Sequence, residues 1–306
     1  MAHRTGEEKG GNRNYPSGRR NRMIPILYCG NDRIFEGVLL SALSVARRTE
    51  ASLEIRILTM DDSAANPKYL PITEEHVALL DRALKPFHPE SRAECVDLSE
   101  KFIETFDGGK NLKNCYTPYA LLRLLADDPE VVPYDKAIYL DIDTMACRDI
   151  RELWDIDITD YEYGAALDYM GTFWVAKDYC NSGVLLLNLA KIRETGMFVK
   201  CRKLIREKWF AMPDQSAIHR SATARYTLER RFNEQRGIVP ETVIKHFNKG
   251  IIWFPIFHLY NIKQWQRDAV HKKLGITAFD EDYAFYDEFM KEQEADRTPV
   301  GATPEG

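Results

Sequence analysis

KAIYLDID, residues 136–143, is a short apolar run that ends in two acidic residues two positions apart. The run over residues 136–140 is rich in strand-forming side chains and predicts a strand that is buried on both faces. In open α/β sheets, ligands bind where the loops leave the carboxyl ends of the strands. We therefore expect Asp141 and Asp143 at an edge of the sheet where a binding site forms.

Apolar runs that suit strands alternate with helical patterns on both sides of this stretch. The predicted strands cover residues 23–29, 53–59, 93–98, 136–140, 164–167, 184–189 and 243–247. The predicted helices cover residues 34–45, 116–126 and 191–209, with further helices that begin at residues 73 and 263. The alternation predicts an α/β fold with a mostly parallel central sheet flanked by helices.

The composition is that of an ordinary globular protein. The 306 residues are 44% hydrophobic and 29% charged, which excludes the collagen-like, disordered and disulfide-scaffold classes. The net charge of -5 gives no overall cationic field, so we expect no nucleic-acid partner. The six cysteines stand singly, without a C-x-x-C pair, and are expected to be free thiols in a reducing compartment.

The two ends of the chain differ from its centre. Residues 1–22 carry six Lys or Arg and almost no large apolar side chain, which predicts a disordered basic tail. The main domain is expected over residues 23–275, and a C-terminal helix with an acidic tail over residues 276–306. Because no apolar run approaches the roughly 20 residues that span a bilayer, we expect a cytoplasmic protein, with peripheral contact at the inner membrane face left open.

The acidic pair predicts a metal site. In an extended backbone, side chains two positions apart point the same way, so the carboxylates of Asp141 and Asp143 would converge. Oxygen ligands favour Mg²⁺ or Mn²⁺, and an added imidazole would favour Mn²⁺. The alternative is a solvated Asp-x-Asp loop, although the apolar strand before it would bring the acids to the sheet edge.

YLDID also resembles the Asp-x-Asp motif of glycosyltransferase family 8, whose members are retaining enzymes that transfer a hexose from a nucleotide sugar. The resemblance covers about residues 24–265 and implies a single Rossmann-like domain of the GT-A type. It implies that Asp141, Asp143 and His246 bind Mn²⁺, and that Ile142 lies in the same donor-binding segment. The donor would be a UDP-hexose, and the acceptor a saccharide or glycolipid. Without the family, a lone histidine on an apolar strand is more often packed than ligating.

The opening strand PILYCGNDRIFEG resembles the family segment that holds the uridine. It places Asn31 and Asp32 on the paired acid positions of the family. Ile34 stands where relatives often have an aromatic residue that stacks on uracil. The alternative for both polar residues is a turn that caps the following helix.

Two further segments resemble parts of the family that contact the donor. Arg123 lies 18 positions before Asp141, and its planar guanidinium suits phosphate or sugar oxygens. CNSGVLLLNL resembles the family's Asn-Ala-Gly strand opening, so Asn181 and Ser182 would face the donor sugar. The alternatives are a structural arginine and an ordinary turn before a strand.

MPDQSAIH resembles the Asp-Gln segment of the family. Asp214 would hold sugar hydroxyls, and Gln215 would lie beneath the anomeric carbon, where its carbonyl oxygen stabilises positive charge. The alternative is a helix N-terminus at which Asp214 interacts favourably with the helix dipole. Asp168, at the end of a predicted strand, is a further candidate for a sugar hydroxyl, with helix capping as its alternative.

The segment after His246 departs from the family. Relatives commonly continue His-x-x-Gly-x-x-Lys-Pro-Trp, whereas this chain reads HFNKGIIW and lacks the Lys-Pro-Trp. The phosphate-binding lysine is therefore displaced or absent. We predict Lys249 as its substitute, beside Gly250.

The leading hypothesis is thus a metal-assisted retaining transferase of galactose or glucose. One alternative is a non-catalytic protein that binds nucleotide sugars, which the missing Lys-Pro-Trp supports. A second is a phosphatase of the haloacid dehalogenase type, which also has Asp-x-Asp after a buried strand. That class has threonine or valine two places after the second acid, where this chain has Met145.

Overall fold

The computed structural model describes residues 23–112, 117–252 and 258–297. The predicted basic tail over residues 1–22 and the end of the acidic tail beyond residue 297 lie outside the described residues. In the described part of the chain, no helix combines the length and the apolar character needed to cross a bilayer.

Seven strands form the central sheet, and four short strands form two separate pairs. In chain order the strands are β1 (Ile24–Cys29), β2 (Leu53–Thr59), β3 (Arg92–Asp97), β4 (Lys136–Leu140), β5 (Thr144–Ala146), β6 (Tyr163–Ala166), β7 (Val184–Asn188), β8 (Arg225–Leu228), β9 (Ile244–His246), β10 (Gly250–Ile252) and β11 (His258–Tyr260). The central sheet has the order β3-β2-β1-β4-β7-β6-β8. Six of its strands run in one direction and β7 runs in the other. The predicted mostly parallel sheet is confirmed.

Helices cover both faces of this sheet. They are α1 (Phe35–Ala46), α2 (Glu74–Leu84), α3 (Ser99–Phe106), α4 (Arg151–Trp154), α5 (Gly171–Trp174), α6 (Leu189–Thr195), α7 (Met197–Glu207), α8 (Pro213–Ser221), α9 (Arg267–Ala269) and α10 (Asp280–Arg297). Three 3-10 helices cover residues 32–34, 118–125 and 230–232, and a π-helical turn covers residues 270–274.

The core lies in two layers, one on each face of the sheet, because side chains alternate along each strand. In β1, Ile26 and Tyr28 pack in the layer that contains α1 and α2. Leu27, between them, packs in the layer that contains α3 and α7. β4 repeats this pattern, with Ile138 in the first layer and Tyr139 in the second. A strand buried on both faces is what the apolar run before the acidic pair predicted.

Two helical predictions differ from the structure. The single helix predicted over residues 191–209 is two helices, because Gly196 adopts a left-handed φ of 65° that ends α6 and starts α7. The helix predicted over residues 116–126 is a 3-10 helix over Pro118–Leu125, and Tyr116 lies outside the described residues. At the C-terminal end, α10 extends the predicted helix into the acidic segment as far as Arg297.

The pair formed by β5 and β9 places the late strand beside the acidic pair. The two strands are antiparallel, with Thr144 opposite His246. The backbone N–H of Phe247 also donates to the carbonyl oxygen of Asp143, at 2.8 Å. Segments that are far apart in the chain are thereby joined directly after the end of β4.

Candidate active site

The two acids lie in a turn between β4 and β5. The backbone N–H and the hydroxyl of Thr144 both donate to the carbonyl oxygen of Asp141, at 3.2 and 2.8 Å. The backbone is therefore not the extended segment assumed from the sequence. The expected convergence of the carboxylates is nevertheless present, because the turn directs Asp141 and Asp143 to the same side.

His246 completes a three-residue cluster with the acids. Its Nε2 lies 3.1 Å from Asp143 Oδ1 and 3.8 Å from Asp141 Oδ2. One ligand atom from each of the three residues lies within 4.8 Å of the others. His246 is 3% exposed and Asp143 is 7% exposed, whereas the Asp141 side chain is 27% exposed, so two of the three ligands are shielded from water.

Asn233 orients the imidazole. Its Oδ1 lies 3.0 Å from His246 Nδ1, which suits donation by an Nδ1–H and leaves the Nε2 lone pair facing the acids. Asn233 in turn donates through Nδ2 to Asn181 Oδ1, at 2.9 Å. A polar partner on the second nitrogen of a ligating histidine sets the ring's orientation and raises its basicity.

Gly183 lies where the cluster of Asp141, Asp143 and His246 leaves no room for a side chain. A Cβ at this position would lie 2.2 Å from His246 Cε1 and 2.8 Å from Asp141 Oδ2, which is closer than atoms can pack. The backbone of Gly183 also accepts the N–H of Asp141 at 2.7 Å, so it lies directly beside the acidic turn. Only glycine fits this approach.

The donor set fits a divalent cation. Two carboxylates and one imidazole suit Mn²⁺, and Mg²⁺ would also accept the oxygen ligands. Burial alone would raise the pKa of Asp143, but the electrostatic and hydrogen-bond contacts with His246 and Lys263 outweigh it and hold that pKa well below its ordinary value. The carboxylate is thus ionised and ready to bind a cation.

Lys263 is, besides Asn233, a site residue that the sequence reasoning missed. Its ammonium binds Asp143 Oδ2 and donates to the carbonyl oxygen of Phe247, at 3.0 Å. The residues that follow it are Gln264 and Trp265, so the chain has a Lys-Gln-Trp that is similar to the Lys-Pro-Trp missing directly after His246. That tripeptide could have identified Lys263 from the sequence, but its longer spacing from His246 concealed it.

Arg123 contacts several of the predicted site residues. Its Nη2 donates to Asp141 Oδ1 at 2.9 Å, and its Nη1 donates to the carbonyl oxygen of Ser182 at 2.7 Å. Asp214 Oδ2 lies 3.4 Å from Nη1, and the guanidinium lies over the Tyr139 ring at 4.0 Å. Burial opposes the charge, yet Tyr139, Asp141 and Asp214 raise the pKa of Arg123 above its ordinary value.

Gln215 is held at both ends of its amide. Its Nε2 donates to Asp168 Oδ2 at 3.1 Å, and its Oε1 accepts the backbone N–H of Ser182 at 3.1 Å. Asp168 also accepts the Nδ2 of Asn181 at 2.8 Å, while the hydroxyl of Ser182 donates to Asp214 Oδ2 at 2.9 Å. The predicted sugar-facing residues therefore form one connected network.

Most predicted site residues line one cavity of about 420 Å³. Of the predicted residues, this cavity brings together Arg123, Asp141, Asp143, Asp168, Asn181, Ser182, Asp214, Gln215, His246 and Lys249, and it adds Lys263. Asn31, Asp32, Ile142 and Gly250 are not in its wall. Ile142 lies behind the turn, where its carbonyl oxygen accepts Gln264 Nε2 at 2.6 Å. Gly250 lines a neighbouring cavity.

Asn31 and Asp32 follow β1, which lies beside β4 in the sheet. Neither the 3-10 helix that begins at Asp32 nor α1 receives a side-chain cap from its N-terminal neighbour, which weakens the capping alternative. The Oδ1 atoms of Asn31 and Asp32 are buried and have no hydrogen-bond partner among the described residues. Buried oxygen acceptors are usually hydrogen-bonded, so these two atoms can accept hydrogen bonds from a ligand.

Residues 25–235 match the sequence profile of glycosyl transferase family 8. The chain belongs to this family. Among curated relatives, glycosyltransferase GlyA of Streptococcus pneumoniae is 32% identical over 87 residues, which is 28% of this chain and 12% of GlyA. Glycosyltransferase GlyF of the same organism is 29% identical over 123 residues, 40% of this chain and 29% of GlyF. The alignments with the curated relatives span between 12% and 29% of their lengths.

Solved structures of family 8 enzymes have the same fold. The galactosyltransferase LgtC in complex with donor and acceptor sugar analogues aligns with a TM-score of 0.57 at 19% identity, over 92% of this chain and 98% of LgtC. The glycosyltransferase GlyE of Streptococcus pneumoniae aligns with a TM-score of 0.59 at 16% identity, over 92% of this chain and 67% of GlyE. At these identities the likeness establishes the GT-A fold.

Proposed function

We propose that this protein is a metal-dependent, retaining hexosyltransferase. It would move galactose or glucose from a UDP-sugar to a hydroxyl group of a saccharide or glycolipid acceptor. The observation that carries the proposal is the cluster of Asp141, Asp143 and His246, whose ligand atoms lie within 4.8 Å of one another in the wall of a single cavity. Membership of family 8 supports the transferase class over the phosphatase alternative.

The cluster would hold the diphosphate of the donor through a divalent cation. Bound Mn²⁺ would stabilise the negative charge that develops on the leaving nucleoside diphosphate. Lys263, already at Asp143, supplies a second positive charge on the same side of the cavity. Its position weakens the case for a non-catalytic binding protein, since that alternative depended on a missing phosphate-binding lysine.

The sugar of the donor would face the network around Gln215. Asp214 and Asn181 offer acceptors and donors for its hydroxyls, and the carbonyl oxygen of Gln215 would stabilise positive charge at the anomeric carbon. The bond from that carbon to the diphosphate breaks while the bond to the acceptor oxygen forms on the same face. The proton of the acceptor hydroxyl passes to the departing phosphate oxygen.

Asp168 is a poor candidate for a covalent nucleophile. Its Oδ1 accepts the backbone N–H groups of Met170 and Gly171 at 3.0 and 2.5 Å, and its Oδ2 accepts the amides of Asn181 and Gln215. A carboxylate that accepts four hydrogen bonds has little free electron density for attack. This geometry favours front-face return over double displacement, and a trapped glycosyl adduct on Asp168 or Gln215 would overturn it.

The test is hydrolysis and transfer from a panel of UDP-sugars with Mn²⁺. Asp143→Ala should reduce turnover of UDP-galactose or UDP-glucose on the order of 100-fold or more, because the cation and its charge stabilisation are lost. Asp268→Ala, a carboxylate that is 91% exposed, is the matched control and should leave turnover unchanged. Turnover that survives both chelation and Asp143→Ala would refute the proposal, and tight binding without turnover would favour the binding protein.

A further inference from the structure

A second cavity with a strongly cationic wall lies beside the 420 Å³ cavity, which we call the donor cavity because the proposed function places the UDP-sugar there. We call it the cationic pocket. It encloses about 240 Å³, and its positive side chains are Arg236, Lys245, Lys249 and Lys273. Its described wall contains no Asp or Glu, although the chain as a whole has a net charge of -5. The positive charge is therefore a local feature of this wall.

The most buried of these charges is Lys245. It lies on β9, one residue before His246, and is 3% exposed. Its Nζ donates to the carbonyl oxygens of Glu234 and His246, at 3.2 and 2.8 Å, which uses two of its three donors. The Glu234 carboxylate binds Arg230 at 2.6 Å and also interacts electrostatically with Lys245. A buried ammonium is costly unless anions lie close to it, so this position favours a further anion.

The other cations reach the pocket from separate parts of the fold. Arg236 follows the 3-10 helix over residues 230–232, and its guanidinium lies over the Tyr169 ring at 4.8 Å. Lys273 comes from the π-helical turn over residues 270–274. Like charges that converge from different elements repel one another, so a bound anion would stabilise the arrangement.

The cationic pocket adjoins the donor cavity. Met170, Asn248 and Lys249 line both cavities. The Oδ1 of Asn248 is buried and has no hydrogen-bond partner among the described residues, so it can accept from a hydroxyl of a ligand that spans the two. A molecule in the pocket would thus have one end close to the sugar-transfer site.

We propose that the cationic pocket binds an anionic group, a phosphate or a carboxylate, on the acceptor saccharide. The proposal rests on the proposed function, because the acceptor hydroxyl must reach the donor sugar in the adjoining cavity. The proposal narrows the class of acceptor to saccharides that carry a negative charge. The wall of Arg236, Lys245 and Lys273 supplies charge-assisted hydrogen bonds to the anion, while the uncharged part of the acceptor lies toward Asn248.

The experiment uses the full-length protein saturated with UDP and Mn²⁺, so that the diphosphate site is filled. Glucose 6-phosphate, glucuronate and neutral glucose are titrated separately, with binding followed by calorimetry or ligand-observed NMR. Both anionic sugars should bind more tightly than glucose. Lys273→Gln should weaken the binding of the anionic sugars about tenfold and leave that of glucose unchanged, because one charge-assisted contact is lost. The stronger of the two anionic probes identifies the chemical class.

Lys272→Gln is the matched control. Lys272 is the adjacent lysine, is 75% exposed, pairs with Asp268 and does not line the pocket. It removes the same charge and should leave all three affinities unchanged. Arg236→Gln is a second variant that should repeat the effect of Lys273→Gln.

Three results would overturn the inference. Anionic sugars could bind no better than glucose, Lys272→Gln could weaken binding as much as Lys273→Gln, or Lys273→Gln could reduce UDP affinity in parallel. The last result would assign the pocket to the donor diphosphate and leave the proposed function standing. Failure of the unaltered protein to bind UDP with Mn²⁺ would instead refute the proposed function, and the inference with it.

Discussion

At the residue scale, the candidate site depends on the orientation of a few side chains by polar neighbours. His246 faces the acids because Asn233 holds its other nitrogen, and Gln215 is held by Asp168 and the backbone of Ser182. These contacts set direction as well as distance. The imidazole and the lysine beside the acids can each be tested by mutation.

Replacing Asn233 should weaken metal binding without removing a ligand. Asn233→Leu leaves the Nδ1 of His246 without its acceptor, so we expect Mn²⁺ affinity to fall by about 10- to 100-fold. Asn233→Asp keeps an acceptor oxygen and should retain most of the affinity. Calorimetric titration with Mn²⁺ measures both, and equal losses in the two variants would contradict the positioning role.

The contributions of the two lysines in the wall of the donor cavity to UDP binding can be measured separately by mutation. Lys263→Ala removes the ammonium that contacts Asp143, so the Kd for UDP with Mn²⁺ should rise by about tenfold or more. Lys249→Ala, the residue predicted from the sequence, should have the smaller effect because the structure brings Lys263 to the acids. Lys263→Arg keeps the charge and should recover part of the affinity. A larger loss in Lys249→Ala would restore the original prediction.

At the element scale, the site depends on how β4, β7 and β9 meet. The acidic turn follows β4, Gly183 directly precedes β7, and His246 ends β9. β9 reaches the turn because it pairs with β5, outside the central sheet. The close approach of these three segments leaves no space for a Cβ at Gly183.

Gly183→Ala should disrupt this approach. The new Cβ would lie 2.2 Å from His246 Cε1, so the strand or the imidazole must move. We expect a loss of stability of about 1–3 kcal/mol and weaker Mn²⁺ binding. Gly237→Ala is the control, since its Cβ would meet no atom within 4 Å. Urea denaturation and Mn²⁺ titration of both variants test the idea, and matching results for the two would contradict it.

The sequence predicted the elements better than it predicted their pairing. The apolar run before Asp141, the late strand at His246 and the Asp-Gln segment were all visible as local patterns. The reversed direction of β7 and the pairing of β9 with β5 were not, because hydrogen bonds between distant strands leave no periodic signal. Asn233 had no signal for the same reason, whereas Lys263 had one in Lys-Gln-Trp.

At the scale of the whole molecule, the C-terminal helix α10 completes one layer of the core. Phe289 of α10 packs in the layer that contains α1 and α2. The carboxylate of Asp282, which is fully buried, binds Arg47 at 3.1 Å and Arg48 at 2.7 Å, both at the end of α1. α1 is also linked to the acidic turn, because Gln264 Nε2 donates to the carbonyl oxygens of both Gly37, in α1, and Ile142, in the turn.

Asp282→Asn should destabilise the protein. Two guanidinium groups would lose a buried counter-charge, and we expect a loss of about 2–4 kcal/mol in the free energy of unfolding, since both arginines stay about a fifth exposed. Asp287→Asn breaks a more exposed pair with Arg267 and should cost roughly 0–1 kcal/mol. Urea denaturation at matched m-values compares the two variants, and equal stabilities would show that the buried pair contributes little.

The sequence by itself determined the α/β class, the placing of two acids after a buried strand and the family to which the chain belongs. These are local properties, because strand periodicity and short motifs depend on residues that lie close together in the chain. Only the tertiary structure decided that Lys263 reaches Asp143, that Asn233 orients His246 and that four cations converge beside the donor cavity. Such contacts depend on the packing of segments far apart in the chain, where burial and charge, and not periodicity, select the partners.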